Sequence, residues 1–220
     1  MRIGIVVFEQ VDLLDVGGPY EVLLTASRLV ERDGGEPPFE VLTLGLTREP
    51  VEAYGGLGLT PSATLAEAGR LDLLIVPGAI RIDEVLADRA LVEAIQGASA
   101  DAQGVASVCT GAFVLQSLGF LEDRPWTTHW EDVEDLAGRA GDGGRAWVRW
   151  VDAGEVVTAG GLSSGIAMAL HLVDRFAGRD LALRTARQIE YDWDPEPIPP
   201  TPGEHEQAMK FGGAGGAAAD

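Results

Sequence analysis

The stretch Val105 to Leu118, Val-Ala-Ser-Val-Cys-Thr-Gly-Ala-Phe-Val-Leu-Gln-Ser-Leu, constrains this chain more than any other. Its short apolar opening suits a buried strand, and from Gly111 onward Ala112, Phe113, Leu115 and Leu118 recur at helical spacing. Two further continuous apolar runs, Arg2 to Phe8 and Leu71 to Val76, have the pattern of strands buried on both faces of a parallel sheet. Strands alternating with helices imply an α/β fold, a doubly wound and mostly parallel sheet with helices on both faces. Its ligand site is expected at the carboxyl ends of the strands. Cys109, the only cysteine, falls at such an end, in the turn between strand and helix. A sulfur there faces the first unpaired N–H groups of the helix and the positive end of its dipole, which favour thiolate over thiol. Taken alone, one cysteine reads as a small buried hydrophobe; the flanking sequence separates the two readings.

Other stretches bear on the same strand ends. In Glu9 to Pro19 the glycines permit a tight backbone path, and Pro19 suits the first turn of a helix running to about Leu29. Asp15 lies just before that helix, the ordinary place of a turn or capping aspartate. The run ending at Val76 leads into Pro77-Gly78-Ala79, so the N–H groups of Gly78 and Ala79 are candidate donors to a charge developing near the sulfur. Thr110 offers an N–H at the helix start and a hydroxyl that either caps the helix or donates to a ligand. Thr127-Thr128-His129-Trp130 reads as a short strand feeding a helix, with Thr128 or His129 near its cap. Imidazole is the usual base for a thiol, which raises the question of a pair with Cys109.

The rest of the chain is scaffold. Phe39 to Gly45 reads as a second strand, and Val51 to Leu59, around Tyr54-Gly55-Gly56, as a hairpin. Asp83 to Ala100 is helical with a break near Asp88 and Arg89. Ala146 to Val151 and Val156 to Ala159 flank a turn and predict a second hairpin. Gly160-Gly161-Leu162-Ser163-Ser164-Gly165 turns into a helix ending near Phe176, but lacks the spacing and the lysine of a phosphate-binding loop. A last helix is expected from Asp180 to Ile189. His171 sits on an apolar helix side among Met168, Leu172 and Val173, as a packed histidine does.

At 220 residues the chain has room for one α/β domain, expected over residues 1–194; the Pro-rich, then Gly and Ala-rich stretch 195–220 reads as an extended arm and flexible tail. Sixteen basic against 35 acidic residues give a net charge of −19, which repels phosphate backbones and anionic lipid, so neither nucleic acid nor membrane is expected as a partner. One cysteine cannot close an internal disulfide. Met1-Arg2-Ile3-Gly4 enters a strand without a secretory signal's apolar region, and no run of apolar residues is long enough to span a bilayer. A cytoplasmic protein is the expectation. Three scattered histidines and one cysteine make no metal-ligand spacing, and no cofactor motif is present, so neither metal nor cofactor is expected.

The run Ser107 to Leu115, with Thr127-Thr128-His129-Trp130, resembles the ThiJ/PfpI superfamily, a cysteine branch of the class I glutamine amidotransferase-like fold. Its Cys-Thr-Gly, in place of Cys-Gly-His, is similar to the isocyanide hydratase branch, and the resemblance extends from about Arg2 to Tyr191. It implies a flavodoxin-like sheet with Cys109 on a nucleophile elbow, and a homodimer. Asp15, in the pattern Leu-Asp-x-x-Gly-Pro, becomes the acid and base that serves the Cys109 nucleophile. Thr110 gains a catalytic role and Leu162 an apolar place in the pocket wall. His129 becomes structural, because relatives that use a Cys-His pair carry the histidine directly after the cysteine. Ala79, where many relatives have glycine, and Ala167, where they often have an acid, are departures. The activity so implied is hydration of a small apolar isocyanide to an N-substituted formamide. The alternatives are a glyoxalase or deglycase on small ketoaldehydes, whose usual acid is glutamate, and a ligand or oxidant sensor that uses the thiolate without turnover. A protease lacks its histidine.

Overall fold

A computed structural model of the chain describes residues 1–195. Of the expected arm and tail over 195–220, all but Pro195 lie outside the described residues. The elements run β1 (Arg2–Val6), α1 (Leu13–Arg32), β2 (Glu40–Gly45), β3 (Val51–Glu52), β4 (Gly58–Leu59), β5 (Ala63–Thr64) and β6 (Leu73–Val76). They continue with α2 (Ile82–Ala87), α3 (Arg89–Ala100), β7 (Val105–Val108), α4 (Gly111–Ser117), α5 (Val133–Ala140), β8 (Trp150–Asp152), β9 (Val156–Ala159), α6 (Ser164–Ala177) and α7 (Arg179–Gln188). Seven strands form one sheet in the order β5-β2-β1-β6-β7-β9-β8, all parallel except for the antiparallel pair of β8 with β9. A chain that reverses its strand order on either side of β1 leaves a crevice at the carboxyl ends, where β1, β6 and β7 deliver their loops to one place.

The continuous apolar runs explain the middle of the sheet. Every residue of β6, β7 and β9 is buried, as both faces of a parallel sheet require when helices cover them. The helices fall into two groups: α1 packs on α6 and α7, and α4 on α2 and α5. The helical break is at Asp88, whose carboxylate caps α3 by accepting from the Leu91 N–H at 3.1 Å.

The strand expected from Ala146 is β8 and begins only at Trp150, and two further local expectations differ. First, α1 begins at Leu13 rather than near Pro19, so Asp15 lies in its first turn and Gly17, Gly18 and Pro19 are inside it. The early start is pinned from outside the helix, by the Asp12 N–H on the Gly78 carbonyl at 2.9 Å and by the Asp15 carboxylate on the Gly78 N–H. Second, Thr127 to Trp130 forms no strand. The Thr127 N–H donates to Thr158 Oγ1 at 2.8 Å, and Thr128 Oγ1 donates to the Cys109 carbonyl at 2.8 Å, so side-chain hydrogen bonds take the place of a ladder.

Candidate active site

Cys109 ends β7 in a conformation that costs energy. Its φ of 55° is left-handed, which for a residue with a side chain costs about 1–2 kcal/mol. The turn is held by its N–H, which faces the carbonyls of Ala159 and Gly160 at 3.1 Å each, and by Thr128 on its carbonyl. Next to it, Gly111 lies so close to the end of β6 that a Cβ there would meet the Val76 carbonyl oxygen at 2.2 Å. No other residue type fits, and α4 is thereby aimed out of the sheet with the sulfur at its base.

The partner carboxylate arrives from α1. Asp15 is wholly buried, and its Oδ2 accepts from the Gly78 N–H at 3.0 Å. Oxygens of Asp15 and Asp12 and the Cys109 sulfur all lie within 4.8 Å of one another. Among the described residues Asp15 Oδ1 has no hydrogen-bond partner of normal geometry, while the Leu162 N–H and the Cys109 thiol lie close enough to the carboxylate to lower its pKa. Burial pushes the Asp15 pKa up from 3.8 to about 7. The Gly78 N–H works against that rise, and the neighbouring Asp12 charge adds to it.

The thiol differs from expectation. Cys109 is 5% exposed, and burial drives its pKa well above the ordinary cysteine range, with the Asp15 charge pushing the same way. The Thr110 N–H opposes this but is outweighed. Loss of hydration can shift a buried group by several pH units, whereas a helix terminus typically returns only about 1 kcal/mol, less than one unit. Burial and the Asp15 charge therefore favour the thiol over the thiolate.

Gly78, Ala79 and Thr110 form one clamp. A Cβ on Gly78 would stand 2.6 Å from Thr110 Oγ1 and 2.9 Å from Asp15 Oδ2, so the loop after β6 closes on both only as glycine. The Thr110 hydroxyl does not cap α4: it donates to the Ala79 carbonyl at 2.8 Å and faces the Ala79 N–H at 2.9 Å. The Gly78 and Ala79 N–H groups, expected as free donors, are therefore both engaged, the first on Asp15 and the second on Thr110. In this arrangement they position the acid and the elbow.

Above the sulfur opens a cavity of about 330 Å³ walled by Ile80, Ile82 and Leu162 on its apolar side and by Asp12, His129 and Asp132 on its polar side. Leu162, at φ 50° and 43% exposed, lines the cavity. His129 lines the wall, and its Nδ1 accepts from the Glu131 N–H at 3.4 Å and lies 3.4 Å from Asp132 Oδ2, the position of a cap. His171 is remote, on Asp152 at 2.7 Å and stacked on Trp150. The sequence reading missed Asp12, Ile80 and Asp132. Only the three-residue interval between Asp12 and Asp15, less than one helical turn, hinted that two carboxylates share this end of α1.

The chain is similar to known proteins in sequence and in fold. The DJ-1/PfpI family pattern matches residues 1–175. An isonitrile hydratase of Pseudomonas putida is 34% identical over 200 residues, 91% of this chain and 81% of that protein. The transcriptional regulator GbdR of Pseudomonas aeruginosa is 26% identical over 193 residues, which cover 86% of this chain but 50% of the regulator. Among solved structures, a ThiJ/PfpI family protein from Pseudomonas syringae superposes with a TM-score of 0.76 at 21% identity, over 96% of this chain and 86% of that one. With its cysteine on the elbow after the fifth parallel strand and the family pattern running through four-fifths of its length, the chain belongs to the DJ-1/PfpI family.

Proposed function

We propose that this protein hydrates isocyanides to N-substituted formamides, with Cys109 as nucleophile and Asp15 as the proton carrier. The observation that carries the reading is the pairing of a buried thiol with a buried carboxyl group whose pKa of about 7 lets it accept and release protons at neutral pH. The relative from P. putida, named an isonitrile hydratase, supports it.

In the first half of the reaction Sγ bonds to the terminal isocyanide carbon while Asp15 gives that carbon a proton and takes the thiol's. A thioimidate results. The high proton affinity of Cys109 suits this order, because charge on sulfur is never held at rest and arises only as the new bond forms. In the second half a water adds to the same carbon, the nitrogen is protonated, the C–S bond breaks, and formamide and thiol are released. The Thr110 N–H, beside the sulfur, stabilises negative charge there when the bond forms and again when it breaks. The Thr110 hydroxyl and Gly78 keep Ala79 and Asp15 in register. Ile80, Ile82 and Leu162 offer an apolar wall to the nitrogen substituent, and among the described residues no lysine or arginine lines the cavity to select for an anion. A peroxide-sensing thiolate is disfavoured by the carboxylates of Asp12 and Asp15 beside the sulfur.

The test is formamide production from a small alkyl or aryl isocyanide by the purified protein, alongside Cys109→Ala and Asp15→Asn. Turnover lost in both variants supports the two roles. A reduced protein that makes no formamide sinks the reading and moves the search to ketoaldehydes.

A further inference from the structure

The second half of that reaction needs a base for water at the moment it needs an acid for nitrogen, and one carboxyl group serves both only in alternation. A second carboxylate is present. Asp12 precedes the first residue of α1, yet its side chain makes no capping hydrogen bond. Among the described residues its carboxylate accepts no hydrogen bond at all, while its N–H is anchored on the Gly78 carbonyl at 2.9 Å. It lines the cavity over Cys109, with an oxygen within 4.8 Å of both the Asp15 carboxylate and the sulfur. Asp15 itself, wholly buried, has Oδ1 unpartnered. A water hydrogen-bonded to the Asp12 carboxylate at about 2.8 Å fits in the cavity on the side of the sulfur and would stand beside any carbon bonded to it. The other charged or titratable side chains that line the cavity with Asp12 are His129, Glu131 and Asp132, of which only His129 attracts its charge.

We infer that Asp12 is a second catalytic carboxylate, which holds the hydrating water and takes its proton while Asp15 serves as the acid; this rests on the hydratase reading. The steps balance with Asp15 protonated and Asp12 ionised at the start. As the S–C bond forms, Asp15 gives its proton to the terminal carbon and takes the thiol's. Next the water oxygen bonds to that carbon, a water proton moves to Asp12, and Asp15 protonates the nitrogen. Finally the C–S bond breaks, the hydroxyl proton goes to Asp15, and the departing sulfur takes the proton held by Asp12. One water is consumed, one formamide leaves, and all three side chains return to their starting states. Two carboxyl groups with different environments dividing acid from base is a recurrent solution in hydrolytic sites.

The experiment follows cyclohexyl isocyanide turnover together with the intact mass of the protein. Asp12→Asn is expected to lose turnover by about a hundredfold, the usual worth of a positioned base, while gaining the mass of one isocyanide on Cys109. Formate added to the variant is expected to restore part of the turnover by supplying a carboxylate to the vacated space. Turnover by Asp12→Asn within threefold of the unsubstituted protein overturns the inference, as does lost turnover without accumulation of the adduct. Should Asp12→Asn fail to fold, Asp12→Ser carries the same readouts. Failure of the unsubstituted protein to make formamide or adduct overturns the hydratase reading and this inference together; normal turnover with an indifferent Asp12→Asn overturns the inference alone.

Discussion

Asp15 is where function and stability oppose each other, and Asp15→Asn measures the conflict. The folded carboxyl group has its pKa raised from 3.8 to about 7. Between those values the folded state binds a proton that the unfolded state has released, so stability falls as pH rises through the window and is lowest above it. At about 1.4 kcal/mol per pH unit, ionising Asp15 in place costs roughly 4 kcal/mol by pH 8. Asparagine removes that cost and keeps an oxygen for the Gly78 N–H, but turns the unpartnered Oδ1 into a buried amide donor without an acceptor, at about 2 kcal/mol. The net at pH 8 is a gain of about 2 kcal/mol, or about 4–8 °C in Tm for a chain of this size. At pH 4 the carboxyl group is neutral, the gain vanishes, and the variant is the less stable by about 2 kcal/mol. Scanning calorimetry of both proteins across pH 4 to 8 should therefore show the sign of the Tm difference reverse. A variant less stable at pH 8, or a difference that does not move with pH, refutes the account of Asp15 as a carboxyl group held against its burial cost.

The Thr110 clamp and the thiol are open to similar measurements. Thr110→Val leaves the Ala79 N–H and carbonyl unpaired in a buried loop and should cost roughly 3 kcal/mol in urea unfolding, with Thr110→Ser recovering most of it; a loss under about 0.5 kcal/mol would mean the loop holds itself. Because burial and Asp15 raise the thiol pKa, iodoacetamide should label Cys109 at pH 7 at least about tenfold more slowly than a free cysteine, with a rate still climbing at pH 9. A rate already level by pH 7 would show a resting thiolate.

The readings that held and those that did not differ in the range of the forces behind them. The apolar run Val105 to Val108 and its junction with Gly111 were legible because burial on both faces and the close approach to Val76 leave a pattern in consecutive residues. The start of α1 was not legible. Gly17-Gly18-Pro19 has local turn chemistry, and the force that overrides it is tertiary: a Cβ on Gly18 would stand 3.0 Å from Ile166 Cγ1 on α6. The thiolate expectation failed for the same reason in electrostatic form. The α4 terminus is written in the sequence beside Cys109, whereas the burial that outweighs it is assembled from β7, α1 and the loop after β6, which no window of sequence contains. Asp12 adds the last step. An aspartate at a helix start ordinarily caps it, and only the fold shows Asp12 making no such bond, lining the cavity and within reach of the sulfur. What a residue type can do was visible in the chain; which of its ordinary partners the fold withholds was not, and at this site the withheld partners leave room for the chemistry.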